Sequence, residues 1–415
     1  MRIRTIVAVV VVVSGLGGVA AFGYVDDRAT RPAIEVLWVS DTTSGLKGNH
    51  HAPAVAVGES GPMVYAPISG RPDTDECELA ALDGTTGMVR WRGPIPPANC
   101  TVHAVADPTV ADYDRDGIAE VLVVTTENEL AVYHPDSGTV ERRTSLPTYG
   151  YTRPLVVDLV GDGRLETVVV DVTGTVHLVA ENGTTLWRRP FDAYTAGQPA
   201  VIDGDGDGRP EIAVGVGGSG KLHLIDHTGS RVWDAPVTFD STITWVTTVR
   251  RPDGPPSVVV ATARGGTVAA VDGNGTVEWS RDLGSFAAVN AVGDGDGDGT
   301  REVYAVANDG VLRSLDARTG ETEWSTTLTS ATVSMMPPPS LGDVDGDGEP
   351  ELVAVSNDGL VSLVDPRSGE IRSTYERADA IFTHPTLADV DGDGDVEAFV
   401  IYGSGRVVAL DFERD

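Results

Sequence analysis

Six times the chain returns to a short acidic run in which carboxylates alternate with glycines or other spacers. Five copies are complete: DYDRDGIAE (112–120), DGDGDGRPE (203–211), DGDGDGTRE (294–302), DVDGDGEPE (343–351) and DVDGDGDVE (389–397). All fit D-x-D-x-D-G-x-x-E. A sixth, partial copy keeps Asp158, Asp162 and Glu166 but has Val160 at its third position. The closing glutamates stand at 120, 166, 211, 302, 351 and 397, so most gaps are close to 46 residues. The one double gap hides a worn copy around Asp253-Gly254, and another worn copy, HAPAVAVGESGPMVYAP, precedes the first. A fixed period of this size means a repeat architecture, because one unit cannot bury its own apolar faces and stacked units can.

Each unit follows one plan. A short strand, often after proline, leads into the acidic loop. An apolar run such as EIAVGV or ELVAVS follows, then a second such as KLHLID, then a Gly-containing turn. A last strand usually carries tryptophan four residues after the turn glycine: Trp91, Trp187, Trp233, Trp279 and Trp324. Units two and seven place Arg142 and Ser373 there. Short Val-rich runs bounded by such turns read as strands. Four strands per unit and eight units predict an all-β, eight-bladed β-propeller over 28–415; seven blades with an irregular first unit is the alternative. The eighth unit stops after its third strand, RVVALDF. Its missing fourth strand is supplied by IEVLWVS at 34–40, with Trp38 at the tryptophan position.

Residues 1–27 read as a separate segment. Arg2 and Arg4 precede an uncharged stretch from Thr5 to Val25, long enough to span a bilayer at about 20 residues. A transmembrane anchor and a cleaved signal peptide both remain open. Either places the propeller outside the cell, anchored on the outer face of the membrane or secreted. Cys77 and Cys100, the sole cysteines, are disulfide candidates there, with two unpaired thiols as the alternative.

The acidic loops predict Ca²⁺ as the cofactor. A hard cation takes six to eight oxygens. The ligand sets are Asp112, Asp114, Asp116 and Glu120; Asp203, Asp205, Asp207 and Glu211; Asp294, Asp296, Asp298 and Glu302; Asp343, Asp345, Asp347 and Glu351; and Asp389, Asp391, Asp393 and Glu397. Asp158, Asp162 and Glu166 form the partial set. These are not EF-hands, because the closing acid comes at position 9 and position 12 is apolar. The worn fifth unit has Val249 and Arg251 at its first and third loop positions and is expected to hold no metal. The loops, and their place between first and second strands, resemble the FG-GAP or VCBS repeats of integrin α-type propellers. The later half of each unit, as in GVLRSLDARTGETEW, resembles the pyrroloquinoline-quinone-type repeat. The resemblance implies calcium in the loops of one face, stiffening each blade.

The formal net charge is −32, and only Lys47 and Lys221 are lysines. Such a composition resembles that of haloarchaeal proteins. At molar salt the Debye length is about 3 Å, so self-repulsion is tolerated. With no basic stripe, nucleic acid is not an expected partner.

Function is expected to be that of a cell-surface or secreted binding and scaffold module, adhesion-like, with a protein or glycan ligand. The alternatives are an exported propeller enzyme, lyase or quinoprotein dehydrogenase, and an assembly factor for surface proteins. The quinoprotein resemblance implies adjacent cysteines over the cofactor, which this chain lacks, and no catalytic residue stands out. Five residues before the first loop position come Asp107, Arg153, Gln198, Thr244, Val289, Pro338 and His384. If the units superpose, these ring one mouth of the central channel. His51, His103 and His384 are assigned to innermost strands. Asn99, Asn182 and Asn274 stand in Asn-x-Thr glycosylation acceptors.

Overall fold

The computed structural model describes residues 34–413 except 59, 196, 219, 251–255 and 263–264. The apolar segment 1–27 and the Asp253 loop of the worn fifth unit lie outside the described residues. The described strands form eight antiparallel four-stranded sheets, joined in register by short turns. Blade 1 covers 54–94, blade 2 109–145, blade 3 155–189 and blade 4 200–238. Blade 5 covers 243–282, blade 6 288–327, blade 7 340–376, and blade 8 386–412 plus Ile34–Val39. First strands of neighbouring blades touch one another at seven of the eight junctions and surround the axis.

Each blade is sandwiched between two others, so its second strand is mostly apolar rather than alternating. Glu120–Thr125, Glu211–Val216 and Glu351–Val355 are buried at every position. The outermost strands alternate instead, as Val140–Ser145 does, because one side faces water. In blade 1 the acidic loop is replaced by a tight turn pairing Gly58 with Gly61. The histidine assignment is corrected here. His51, His103 and His384 stand in the segments before the innermost strands, which begin at Ala54, Thr109 and Thr386. Val289 is also no part of the channel mouth; it packs in the core between blades 5 and 6.

The tryptophans join blade to blade. Each indole N–H donates to a carbonyl near the last hairpin of the next blade. The pairs are Trp38 to Gly84 at 2.7 Å, Trp91 to Pro135 at 2.6 Å and Trp187 to His227 at 2.8 Å. Trp233 to Gly273 and Trp279 to Ala317 follow at 2.8 Å, and Trp324 to Pro366 at 2.7 Å. The hairpin glycine lies flat on the ring. A Cβ at Gly320 would come within 2.6 Å of Trp279, and its φ of +67° disfavours a side chain in any case. Trp233 keeps this contact although the outermost strand of blade 4 shrinks to Val237–Thr238.

The ring is closed by the chain's two ends. Ile34–Val39 pairs antiparallel with Val407–Phe412, with a bulge between Val36 and Trp38. Ser40 extends the seam: its N–H donates to Val407 O and its Oγ accepts the Val407 N–H, both at 2.9 Å. Trp38 then packs with Val64, Leu82 and Phe399 between blades 8 and 1. A disulfide joins Cys77 of blade 1 to Cys100 in the connection to blade 2 and, over 23 residues, contributes about 3 kcal/mol by loop-closure entropy.

Two outcomes are expected from this arrangement. A chain starting at Asp41 exposes the unpaired edge of Val407–Phe412. It melts well below a chain starting at Arg28 and aggregates on heating; equal melting curves would show that the seam is dispensable. Trp279→Ala loses a buried ring and leaves the Ala317 carbonyl unpaired, which costs about 3–5 kcal/mol in a denaturant titration.

Candidate functional site

The acidic loops share one internal geometry. In all six, Oε2 of the closing glutamate accepts the N–H of the second loop position. The donors are Tyr113 (3.2 Å), Leu159 (3.0 Å), Gly204 (2.7 Å), Gly295 (2.9 Å), Val344 (3.2 Å) and Val390 (2.9 Å). The third-position carboxylate caps the fifth N–H, as Asp205 does for Asp207 at 3.1 Å. The fifth-position carboxylate caps the seventh, as Asp207 does for Arg209 at 2.8 Å. These turns fold the chain so that the remaining oxygens point inward.

Three carboxylates therefore converge in at least three of the loops. Oxygens of Asp112, Asp114 and Glu120 lie within 4.8 Å of one another, as do those of Asp203, Asp205 and Glu211 and those of Asp294, Asp296 and Glu302. The fifth-position Asp116, Asp207 and Asp298 are not in these groups; their Oδ1 atoms accept the seventh-position N–H. In the eighth unit the group is Asp391, Asp393, Asp395 and Glu397. Asp389 is absent from it and instead accepts the Gly392 N–H at 2.6 Å. Asp395 escaped the sequence pattern because position 7 varies between units. Oδ1 of Asp112, Asp203 and Asp343 is buried with no hydrogen-bond partner. A buried carboxylate oxygen without a donor is costly, and a cation at this point would satisfy it. The partial loop spends Asp158 on the N–H groups of Gly161, Asp162 and Gly163, in place of an inward-facing third carboxylate.

Burial pushes Glu120, Glu211, Glu302, Glu351 and Glu397 up to about 7, with the neighbouring aspartates adding to the rise. Arg372 approaches Glu351 at 3.5 Å and offsets part of this.

The loops follow the innermost strands and the channel-mouth residues precede them, so the two groups occupy opposite ends of those strands. At the mouth, Asp107 is the hub. Its Oδ1 lies 2.7 Å from His51 Nδ1 and accepts the Ala52 N–H at 3.2 Å; its Oδ2 accepts from Gln198 Nε2 at 2.9 Å. Gln198 Oε1 in turn accepts the Arg153 N–H at 2.7 Å. The Asp107–Gln198 bond links blade 2 to blade 4. Burial alone would raise the Asp107 carboxyl, but the His51 contact and the charges of Arg153 and His384 hold it below its ordinary value. Burial and Arg153 lower His384. Asp107, Arg153 and His384 line a channel cavity of about 520 Å³. Asp107 also borders a second cavity of about 340 Å³, with Gln198 and Thr244 in its wall.

Three histidines line that second cavity: His51 and His103, which the sequence singled out one by one, and His50, which it did not. Their ring nitrogens meet within 4.8 Å. Burial, then the neighbouring histidine charge, pulls His50 down to about 4 and His103 down to about 3, so both are neutral at pH 7. Tyr151 lies tilted against His103 with centroids 3.9 Å apart, and Tyr194, half exposed, follows at 5.8 Å from Tyr151. The acceptor residues Asn182 and Asn274 are exposed at hairpin turns, while Asn99 ends a short 3-10 turn beside Cys100.

Residues 117–296 and 257–415 match the family described as outer membrane protein assembly factor BamB, and together they span well over half the chain. The chain belongs to this family. No curated protein matches its sequence. This BamB-family propeller is similar to the crystal structure of BamB from Moraxella catarrhalis, at 16% identity and a TM-score of 0.61, covering 92% of this chain and 99% of that one. A computationally designed protein, Ika8, superposes at 14% identity and TM-score 0.62, covering 89% and 99% of the two chains. A quinohemoprotein alcohol dehydrogenase from Pseudomonas putida does so at 12% and 0.61, covering 91% and 76%. At such identities the likeness is one of fold.

In the metal-free protein the five glutamates make stability depend on pH. Their folded values lie above the ordinary 4.5, so the folded state binds the extra protons, and stability is lost as pH rises through about 7. His50, His103 and His223, whose folded values lie below the ordinary 6.5, oppose this in part, because the unfolded chain begins to protonate them as pH falls to 6.5; the five glutamates outweigh them. The melting temperature of the chelator-treated protein is expected to rise on going from pH 8 to 6.5. Calorimetry with excess Ca²⁺ should show that rise reduced or reversed, because the cation competes with those protons.

Proposed function

We propose that this BamB-family propeller works outside the cytosol as a calcium-stabilised binding and scaffold module, carrying a protein or glycan ligand. The observation behind the calcium part is the trio of buried, partnerless oxygens on Asp112, Asp203 and Asp343, each at the first position of a complete loop. Those loops would hold Ca²⁺ through their converging carboxylates, and the ion would join the first and second strands of a blade. The Cys77–Cys100 disulfide supports an oxidising compartment, as does the apolar N-terminal stretch in the sequence.

A second reading, assembly of envelope proteins, is favoured by the family match. The two part on one measurement. If deleting the chain leaves the composition of the cell envelope intact but abolishes attachment to a protein or glycan surface, the binding reading stands. A fall in folded envelope proteins favours assembly.

Calcium sites of extracellular modules bind at roughly 10⁻⁴–10⁻³ M. At 100 times Kd, one site adds about 2.7 kcal/mol. Ca²⁺ should therefore raise the melting temperature, and chelator should lower it. Replacing Asp203 and Glu211 by Asn and Gln should remove one equivalent of bound calcium. No bound calcium and no thermal shift in the unaltered protein would end the calcium reading.

A further inference from the structure

The geometry points to a second metal centre, for a nitrogen-preferring divalent cation of the Zn²⁺ class, held by His50 Nε2, His51 Nε2 and His103 Nδ1 at the channel mouth. It is separate from the acidic loops in place and in chemistry. Imidazole nitrogens suit zinc and its neighbours, whereas Ca²⁺ takes oxygens.

Spacing is the first argument. Tetrahedral nitrogens about 2.05 Å from zinc stand about 3.3 Å apart. His103 Nδ1 lies 2.8 Å from His50 Nε2 and 3.4 Å from His51 Nε2, and one nitrogen from each of the three rings falls within 4.8 Å of the other two. A small relaxation suffices to admit the ion.

Proton bookkeeping is the second. His50 Nδ1 lies 2.7 Å from the Gly48 carbonyl, which can only accept, so Nδ1 carries the proton. His51 Nδ1 lies 2.7 Å from Asp107 Oδ1, and the same holds when that carboxylate is ionised. Each neutral ring then has its lone pair on Nε2. Both lone pairs face a single atom, His103 Nδ1. One proton on that atom can satisfy one of them, and none if it resides on Nε2. At least one lone pair in a half-buried pocket is therefore left without a donor, and a cation would take all three.

The surroundings are the third. A backbone carbonyl and a carboxylate on the outer nitrogens of ligand histidines are the partners that orient them and raise their basicity. Asp107 is itself fixed by Ala52 and Gln198. Three protein ligands leave a fourth position, which would open on the 340 Å³ cavity walled by Tyr151, Tyr194, Gln198, Thr244, Phe286 and Met335. Water or a small anion would complete the shell there.

The test uses the whole chain with saturating Ca²⁺, so that the loops are filled. Co²⁺ serves as the optical probe. One equivalent should give the intense visible bands of a tetrahedral site, and Zn²⁺ should bleach them. His50→Ala and His103→Ala should each abolish the signal, and Asp107→Asn should weaken Zn²⁺ binding 10- to 100-fold at unchanged stoichiometry. An absence of bands, or equal bands in His103→Ala, overturns the proposal. Crystals of the unaltered protein grown with Zn²⁺ decide the matter even if a variant fails to fold. Zinc-edge anomalous density within about 2.1 Å of the three nitrogens supports the site. No peak at that point overturns it.

Discussion

The indole-to-carbonyl clasp between neighbouring blades is the contact on which the ring depends. It couples a large apolar ring to one directed hydrogen bond, and the partner glycine lets the next hairpin lie directly on the indole. The two departures from the pattern have physical reasons. In unit two Arg142 replaces tryptophan, and its guanidinium still donates to the next blade, at Asn182 O over 2.7 Å. In unit seven Ser373 replaces it because blade 8 has no hairpin to clasp: its fourth strand comes from the other end of the chain. The same seam explains Trp38, which reaches from blade 8 to Gly84 of blade 1.

At the two ends of the innermost strands the ring presents opposite chemistries. One end carries folded acidic turns whose glutamates hold protons at about neutral pH when no cation is near. The other carries imidazoles and phenols around one ionised aspartate. A bond from Gln198 to Asp107 ties the second of these together between blades 4 and 2.

Blades, seam and loop geometry were legible in the sequence because all are periodic. A period of about 46 exposes anything that recurs in register. The histidine group was not legible for the same reason. Ala52 and Asp107 occupy equivalent positions before their strands, so His50, His51 and His103 fall in three different registers. Periodic reading treats such residues as noise. Asp395 was missed likewise, since it sits at a loop position that is Ile, Arg, Thr or Glu in other complete copies. At position 5 the loops differ: Asp393 joins the carboxylate group of its loop, whereas Asp116, Asp207 and Asp298 stand outside theirs, and all four accept a backbone N–H two residues on.

The seam also sets a clock on biogenesis. Ser40 is made early, and its partner Val407 comes 367 positions later. At about 5–20 residues per second, the first strand waits roughly 20–70 s for synthesis of its mate. During that interval no ring exists, and the growing stack has an open flank at its newest blade. A latch built from both termini thus makes the final fold contingent on a complete chain: a truncated product has nothing to shut against and stays open to proteolysis.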